Sequence, residues 1–308
     1  MTAPLLAPAA RGLAVGVPGW IMAVGAMFSV QLGASLSVGL MDRIGAGGTA
    51  WLRLSFGALV FLVLARPTLR FLRRLSRRDL LLVGVLGIAT AVQTIAFLAA
   101  IARIPLGTAV SIEFLGPLTV AALHARRPRA FLWPALALLG VVLLSRPWTG
   151  SFDPVGVGLA ALAAVGWGFY VHLTEKVGAR FEGLSGLALT VPVAAVVTAV
   201  LGVPQAWGGI DLHVLLVAAG LALLLPVLPY ALEMVALRRM SPLAFGTLMA
   251  LEPAFGALLG LAVLLQVPTV FQVLGVTIVV VAGILAQRAD TKAVAFREPE
   301  TAAPVAPG

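Results

Sequence analysis

The sequence predicts an all-α polytopic membrane protein with ten transmembrane helices, arranged as two inverted five-helix repeats. Composition, the spacing of apolar runs and an internal repeat support this prediction. Of the 308 residues, 61% are hydrophobic and only 11% are charged, and the mean hydropathy is +1.08. Soluble domains are about one quarter charged, so this composition is typical of a chain embedded in lipid. The absence of Cys excludes disulfides, thiolate metal sites and cysteine nucleophiles.

Ten apolar runs follow one another, separated by charges, glycines and prolines. Each approaches the ~20 residues that a crossing helix needs, and runs this long and uniform favour helices over barrel strands. The tails at 1–17 and 288–308 lean polar. We interpret the N-terminal segment as leading into an uncleaved first helix and not as a signal peptide, and the C-terminal tail as disordered. The predicted spans are 18–40, 47–65, 80–101, 105–124, 130–145, 155–174, 184–203, 212–237, 242–265 and 268–287.

Lys and Arg are distributed unequally between the two sides of the predicted membrane. With the N-terminus inside, the inner segments hold 17 of them, whereas the outer loops hold three, namely Arg43, Arg103 and Arg146. This asymmetry predicts that both termini are cytoplasmic and favours a multi-pass protein of the cell inner membrane. The densest cluster, at 66–78, is interpreted as a topology anchor that contacts lipid headgroups. We therefore expect the basic residues behind the +9 net charge to contact the lipid bilayer and not nucleic acid.

An internal repeat relates the fourth and ninth spans. PLGTAVSIEFLGPL (105–118) and PLAFGTLMALEPAF (242–255) each open on a Pro and carry a mid-helix Glu with a nearby Pro. Five spans separate the two copies, so they cross the membrane in opposite directions. The repeat predicts one domain at 18–146 and a second at 154–287, with a site near the midplane between them.

Charged side chains inside the spans are the leading site candidates. By helical rise, Glu113 and Glu252 lie ~12 and ~15 Å from the ends of their helices, and Arg53 lies ~9 Å deep. A charge at that depth costs at least ~2.5 kcal/mol, so it needs a partner, a proton or a ligand. Glu113 is either a proton or substrate-amine site or one half of a structural ion pair with Arg53. Glu252 is either a second site or a protonated group that satisfies backbone freed by Pro253.

Further polar and aromatic residues complete the predicted site. Tyr230 lies beside a helix that Pro226 and Pro229 are expected to break. Gln31 lies in the first span, and Trp167 lies between two glycines, where aromatic residues more often pack than bind ligand. Glu233 is expected near the cytoplasmic interface, where it either snorkels to the headgroups or pairs with Arg238 or Arg239.

Enzymatic chemistry has little support in the sequence. The three His residues lie at or near span ends and form no metal-binding motif, so no catalytic residue, metal or cofactor is expected. Residues 183–186 read Gly-Leu-Ser-Gly, the form seen in intramembrane serine proteases, and His172 lies on the same side. Ser185 opens its span instead of lying within it. A serine hydrolase therefore remains only a weak alternative.

The motifs described above resemble a known family. SVQLGASLSVGL, PLGTAVSIEFLGPLTVAALHARRP and LPYALEMVALRRMSPLAFGTLMALEPAFGALLG are similar to segments of the drug/metabolite transporter superfamily with its two EamA-type repeats. Within it, the threonine/homoserine exporter group is the most similar. The resemblance covers about residues 18–287. One departure is Leu265-Gln266, where many EamA repeats end in Gly-Glu, and this change is expected to weaken a structural contact at the outer end.

The resemblance implies a function as well as a fold. It implies efflux of small amino acids or related metabolites, driven by the proton gradient, through a central cavity built from both halves. Arg53, Glu113, Tyr230, Glu233 and Glu252 fall on matching motif positions. Gln31 and Trp167 lie in matching spans and are cavity candidates only. A different cargo, such as a drug, a purine or a sugar conjugate, remains the alternative.

Overall fold

The computed structural model describes residues 17–125, 128–148, 152–181, 184–237, 239–240 and 242–295. Within these ranges the protein is helical and contains no strand. The predicted N-terminal tail lies outside them except for residue 17, as do residues 296–308. The α-helices are α1 Gly19–Ala65, α2 Leu69–Arg73, α3 Arg77–Ile101, α4 Leu106–Glu113, α5 Leu115–Ala125, α6 Leu132–Ser145, α7 Pro154–Arg180, α8 Ser185–Ala206, α9 Leu212–Ala222, α10 Leu228–Leu237, α11 Pro242–Met249, α12 Glu252–Leu264 and α13 Val270–Ala295.

Ten membrane crossings are obtained because α1 is two spans in one helix. The described residues contain nine helical stretches long and apolar enough to cross a membrane, and α1 is 47 residues long. At 1.5 Å per residue it measures about 70 Å, more than twice the hydrocarbon thickness of a bilayer. The prediction of ten helical spans is thereby confirmed. The chain turns between the first two spans at Gly45, inside the predicted connection at 41–46, and the connection is a sharp corner in place of a six-residue loop.

Gly45 makes that turn possible. Its φ is +71° and its ψ is 170°, a backbone conformation that side-chain-bearing residues rarely adopt. The side chain of Gln205 fills the corner, and its Oε1 accepts a hydrogen bond of 2.8 Å from the backbone N–H of Gly47. A Cβ atom at residue 45 would lie 2.6 Å from the same oxygen. The first two spans therefore meet at a one-residue corner capped by the seventh span.

The packing of the spans is consistent with an inverted five-helix repeat. The third span packs on the sixth and seventh, and correspondingly the eighth packs on the first and second. The fourth span packs on the ninth, and the fifth packs on the tenth. The same contacts result when each span of the first half is exchanged with the span five places later, for example the third with the eighth and the first with the sixth. The exact repeat boundaries, 18–146 and 154–287, stay predictions.

Small residues bring the fourth and ninth spans together. A Cβ atom on Gly107 would lie 2.8 Å from Cα of Ala257, and one on Gly256 would lie 2.9 Å from Val110. Gly107 and Gly256 are thus small residues at a contact between two helices. The two spans that carry Glu113 and Glu252 consequently cross with their backbones nearly in contact.

Polar contacts fasten the ends of the helices that cross between the halves. Asp79 at the start of α3 pairs with Arg180 at the end of α7, at 2.8 Å. At the opposite ends of the same two helices, Arg103 pairs with Asp153 at 3.0 Å. The first and eighth spans are joined likewise by Arg43 and Asp211 at 2.7 Å, and by a 2.7 Å bond from Arg239 to the carbonyl of Val17.

Two further differences from the sequence-based prediction concern helix ends. α13 continues to Ala295, eight residues past the predicted end of the tenth span at 287. Leu265 adopts a left-handed conformation with φ +56°, which favours glycine. Gln266 still ties the outer ends together, since its Oε1 accepts a 2.9 Å bond from the backbone N–H of Leu106.

Candidate functional site

The fourth span is broken at the position of its carboxylate. α4 ends at Glu113, Phe114 is a turn residue, and α5 begins at Leu115. Pro117 has no N–H, so the carbonyl of Glu113 lacks its helical donor, and the next bond runs from Leu118 N–H to the carbonyl of Phe114 at 3.3 Å. The break places a carboxylate and a freed carbonyl side by side.

The ninth span is broken in a related way. α11 ends at Met249 and α12 begins at Glu252. A tighter turn joins them, in which the N–H of Leu251 bonds to the carbonyl of Leu248 at 2.8 Å. Pro253 lacks the N–H that would bond the carbonyl of Met249. Glu252 therefore stands at the N-terminus of a 13-residue helix.

The eighth span is also interrupted, between α9 and α10. Leu225, just before Pro226, has φ −159° and ψ 112°, which is extended and not helical. The freed carbonyl of Leu224 accepts a 2.7 Å hydrogen bond from the hydroxyl of Ser29 in the first span. The predicted break at Pro226 and Pro229 is confirmed, and the first span satisfies part of the backbone that it exposes.

Glu113 is buried and is held by a glutamine. Its side chain is 7% exposed, and its Oε1 accepts a 3.2 Å hydrogen bond from Nε2 of Gln93 in α3. Arg53 instead donates a 3.1 Å bond to the hydroxyl of Ser37, although its charge interacts electrostatically with Glu113. The described residues contain no ion pair within 4.0 Å between Arg53 and Glu113. This geometry does not support the interpretation of Glu113 as half of a direct ion pair.

Glu252 lies in the same electrostatic neighbourhood. It is 4% exposed, and it interacts with the charges of Glu113 and Glu233. In the described part of the chain no side-chain hydrogen bond reaches Glu252. Glu233 is half-buried and also interacts with Tyr170 and Tyr230, so it belongs with the interior groups in addition to lying near a helix end. Three carboxylates and one guanidinium thus surround the breaks.

Two buried polar side chains in the first half have unused hydrogen-bonding capacity. Arg53 is 4% exposed and its Nε has no partner, and Gln31 is 3% exposed and its Oε1 has no partner. Buried polar atoms are normally satisfied, and an orphan calls for a water, an ion or a ligand. Arg53 offers a donor beside Glu113, and Gln31 offers an acceptor in the first span.

The two aromatic candidates occupy different positions. Trp167 meets Phe114 in an edge-to-face contact with ring centroids 6.3 Å apart, so it lies beside the break in the fourth span. Its neighbours Gly166 and Gly168 pack against Gln93 and Gly116, respectively. Tyr230 is half-buried and meets Phe61 edge to face at 6.1 Å. Both rings therefore have packing partners, and each borders a broken helix.

Gln93 is the residue that sequence reasoning did not select. Nothing in its own segment distinguishes this glutamine from other polar residues within spans. Its depth is informative, because it lies eight residues from the end of α3, ~12 Å, which matches the seven residues, ~10 Å, from the start of α4 to Glu113. Comparing depths on neighbouring antiparallel spans would have paired the two.

The hydrolase alternative gains no geometric support. Ser185 is the first residue of α8, and His172 stacks on His124 of the fourth span with ring centroids 5.4 Å apart. Among the described residues no hydrogen bond joins Ser185 to His172. No group of three or more His, Cys, Asp or Glu side chains in the described ranges is arranged to hold a metal ion.

A many-span helical protein with carboxylates and an arginine buried between broken helices belongs to the class of membrane transporters. Comparison with known proteins places the chain within that class. Residues 154–286 match the EamA-like transporter family. The chain is 36% identical over 277 residues to the threonine/homoserine exporter RhtA of Escherichia coli (strain K12), covering 88% of this chain and 92% of the relative. The chain therefore belongs to the EamA-like transporter family.

Two further comparisons agree with this assignment. The threonine/homoserine exporter RhtA of Salmonella typhimurium (strain LT2) is 35% identical over 276 residues, which cover 88% of this chain and 92% of the relative. A protein of known crystal structure shares the fold with a TM-score of 0.58, covering 89% of this chain and 98% of that chain. Its 18% identity supports the fold alone. The chain is a multi-pass membrane transporter of a small molecule.

Proposed function

We propose that this protein exports threonine- or homoserine-like amino acids, or closely related metabolites, in exchange for protons. The observation that carries the proposal is its similarity, over 88% of its length, to exporters of these amino acids. The site supports it independently, because the groups around the broken helices complement both ends of an amino-acid zwitterion.

Arg53 is the proposed partner of the substrate carboxylate. Its guanidinium is buried, one of its nitrogens is already fixed by Ser37, and its Nε is unused. An arginine held in this way is prepared to bind a carboxylate through two donors. The orphan oxygen of Gln31 and the ring of Trp167 are proposed as further contacts.

Glu113 is the proposed site of both the proton and the substrate ammonium. One carboxylate cannot bind both at once, so substrate binding releases the proton and proton binding releases the substrate. This exclusion is sufficient for antiport when the site faces each side of the membrane in turn. The hydrogen bond from Gln93 fixes one carboxylate oxygen and leaves the other for this exchange. Glu252 and Tyr230 complete the site from the second repeat.

The proposed movement is a rocking of the two inverted repeats around the midplane. Both termini are placed in the cytoplasm and the protein in the cell inner membrane, as the Lys and Arg distribution predicts. Glu113 then lies below the outer end of the fourth span and Glu252 above the inner end of the ninth.

Transport by protein reconstituted in liposomes tests the proposal. Labelled threonine is expected to move against its gradient when a pH gradient of the appropriate sign is imposed, and to stop when an ionophore collapses that gradient. If E113Q moves threonine and responds to pH like the wild type, the coupling role of Glu113 is wrong.

A panel of toxic amino acids and analogues tests the cargo. Cells that produce the protein are expected to tolerate excess threonine, homoserine and their analogues better than cells that produce E113Q. Tolerance restricted to drugs, purines or sugar conjugates would assign a different cargo to the same site.

A further inference from the structure

A groove of about 610 Å³ lies outside the candidate site, between the fourth span and α7. Its walls are apolar, and three of its side chains, Leu123, Val165 and Phe169, are 57–58% exposed. The hydroxyl of Thr119 in the wall already donates a 2.7 Å bond to the carbonyl of Leu115. Both walls belong to membrane-crossing helices, so the exposed apolar lining faces lipid and not water.

Close backbone packing separates this groove from the candidate site. Gly116 and Gly168 line it, and a Cβ atom on Gly168 would come within 3.5 Å of the carbonyl of Gly116. Trp167 points to Phe114, outside the set of lining residues. The groove therefore opens sideways to the bilayer and is distinct from the broken helices where substrate is proposed to bind.

The groove has the length of one lipid leaflet. Its lining runs from Ile112 to His124 on the fourth span and from Ala161 to His172 on α7. Twelve and eleven residues of helix measure about 18 and 17 Å. Half of the hydrocarbon core of a bilayer is about 15 Å. The groove thus runs from mid-bilayer to one membrane surface, the path of a single acyl chain.

The surface end of the groove is polar and basic. His124 and His172 stack there with centroids 5.4 Å apart. Nδ1 of His124 donates to the carbonyl of Val120 at 3.0 Å, so its Nε2 donates to a phosphate in the imidazolium form of the ring. Lys176 follows His172 by one turn, accompanied by the acidic Glu175. Beyond His124 the sequence continues with Arg126, Arg127 and Arg129. Histidines next to a basic loop suit a phosphate at the level of the lipid headgroups.

We propose that this groove is a binding site for an anionic phospholipid, with one acyl chain between α5 and α7 and the phosphate at the His124–His172 pair. The occupant is a lipid of the leaflet on the side of the basic loops. Its two recognition elements are separable, because the chain contacts Val165 and Phe169 and the headgroup contacts the two histidines.

Native mass spectrometry of the purified protein, titrated with dioleoyl phosphatidylglycerol or dioleoyl phosphatidylcholine, tests the proposal. The wild type is expected to retain phosphatidylglycerol in preference to phosphatidylcholine. V165W fills the groove and is expected to lower retention of both lipids about tenfold. L162W is the matched control, since Leu162 is 47% exposed on the same helix but does not line the groove. H124A/H172A is expected to lower the affinity for phosphatidylglycerol about tenfold while the groove stays open.

Several results would overturn the lipid site. They are equal retention by V165W and L162W, unchanged phosphatidylglycerol affinity in H124A/H172A, or retention of detergent or another apolar solute to the exclusion of phospholipid. L123W, which fills the groove from the facing helix, must reproduce V165W. Substrate transport by V165W provides an independent check that the variant is folded.

Discussion

The fourth and ninth spans are repeats of each other, but their glutamates have different surroundings. Both are broken beside a glutamate, and a proline follows each break within a few residues. Glu113, however, ends its half-helix and accepts a hydrogen bond from Gln93, whereas Glu252 begins its half-helix and interacts only electrostatically with Glu113 and Glu233. The partial negative end of α4 adjoins the first carboxylate, and the partial positive end of α12 adjoins the second. The helix break is therefore shared by the two spans, whereas the partners of the two glutamates differ.

The largest expected effect separates the two glutamates directly. If Glu113 is the proposed ammonium and proton site, E113Q is expected to lower the initial rate of proton-driven threonine transport by about a hundredfold. E252Q is expected to lower it by about tenfold or less, because the isosteric amide keeps the shape and removes only a repelling charge. Transport in liposomes at matched protein density measures both. Equal losses would mean that the two copies share the chemistry.

Replacing Gln93, the hydrogen-bond donor to Glu113, tests the contact that distinguishes the fourth span from the ninth. Q93L is expected to reduce transport at low substrate about tenfold, since it leaves a buried carboxylate oxygen without its donor. The control is T90V on the same helix, because the hydroxyl of Thr90 bonds only to the carbonyl of Leu86 in its own helix. An unaltered pH dependence in Q93L would show that Gln93 does not position Glu113.

The two prolines are expected to differ in importance. P117A supplies an N–H to the carbonyl of Glu113, so it is expected to straighten the fourth span, raise the unfolding temperature and slow transport several-fold. Pro253 stands in the first turn of α12, where a missing N–H has no intrahelical partner in any case. P253A is therefore expected to change the transport rate less than twofold. Equal effects of the two substitutions would remove this asymmetry.

The smallest expected effects concern the ion pairs at the helix ends. Asp79 is almost enclosed, with 8% side-chain exposure, whereas Asp211 is 50% exposed in its pair with Arg43. D79N is expected to lower the unfolding temperature by a few degrees and D211N by about one, since exposed pairs contribute little. Thermal unfolding in detergent, with L162W as an unrelated surface control, measures both. A larger loss in D211N would contradict the ranking.

The difference in unfolding temperature between the wild type and D211N is expected to depend on pH, because it follows the pKa of Asp211. The N–H of Val214 and the guanidinium of Arg43 hold the pKa of that carboxyl below its ordinary value. The stabilisation is therefore fully present above the unfolded-state pKa of about 3.9, and it is lost as pH falls through the folded-state pKa. The difference in unfolding temperature between the wild type and D211N is expected at neutral pH and should vanish in acid.

Much of this architecture could be predicted from the sequence because it depends on local rules. Span length, the breaks at Pro117, Pro226 and Pro253, and the contact made by Gly256 each follow from chemistry within one segment. The one-residue corner at Gly45 could not be predicted, since the six residues from 41 to 46 look like a short loop and only Gln205 in a distant span reveals the corner. The left-handed conformation of Leu265 was likewise hidden, because Leu does not favour it.

The site was predicted less completely than the fold for the same reason. Residue type and depth selected Glu113, Arg53 and Glu252, because a buried charge is informative by itself. The partner of Glu113 depends on the rotation of α3 about its axis, which a uniformly apolar helix does not disclose. A direct pair between Arg53 and Glu113 was one of two alternatives, and Ser37, sixteen residues earlier on the same bent helix, takes one of the donors of Arg53.

The interleaving of the two halves has a consequence for biosynthesis. The first span rests on the eighth and the third rests on the sixth, so most of the enclosing partners of the first half are made after it. Arg53 and Gln31 consequently enter the membrane before the second half that covers them exists. While the ribosome completes the chain, these two polar side chains must rely on each other's helices, on water or on lipid headgroups.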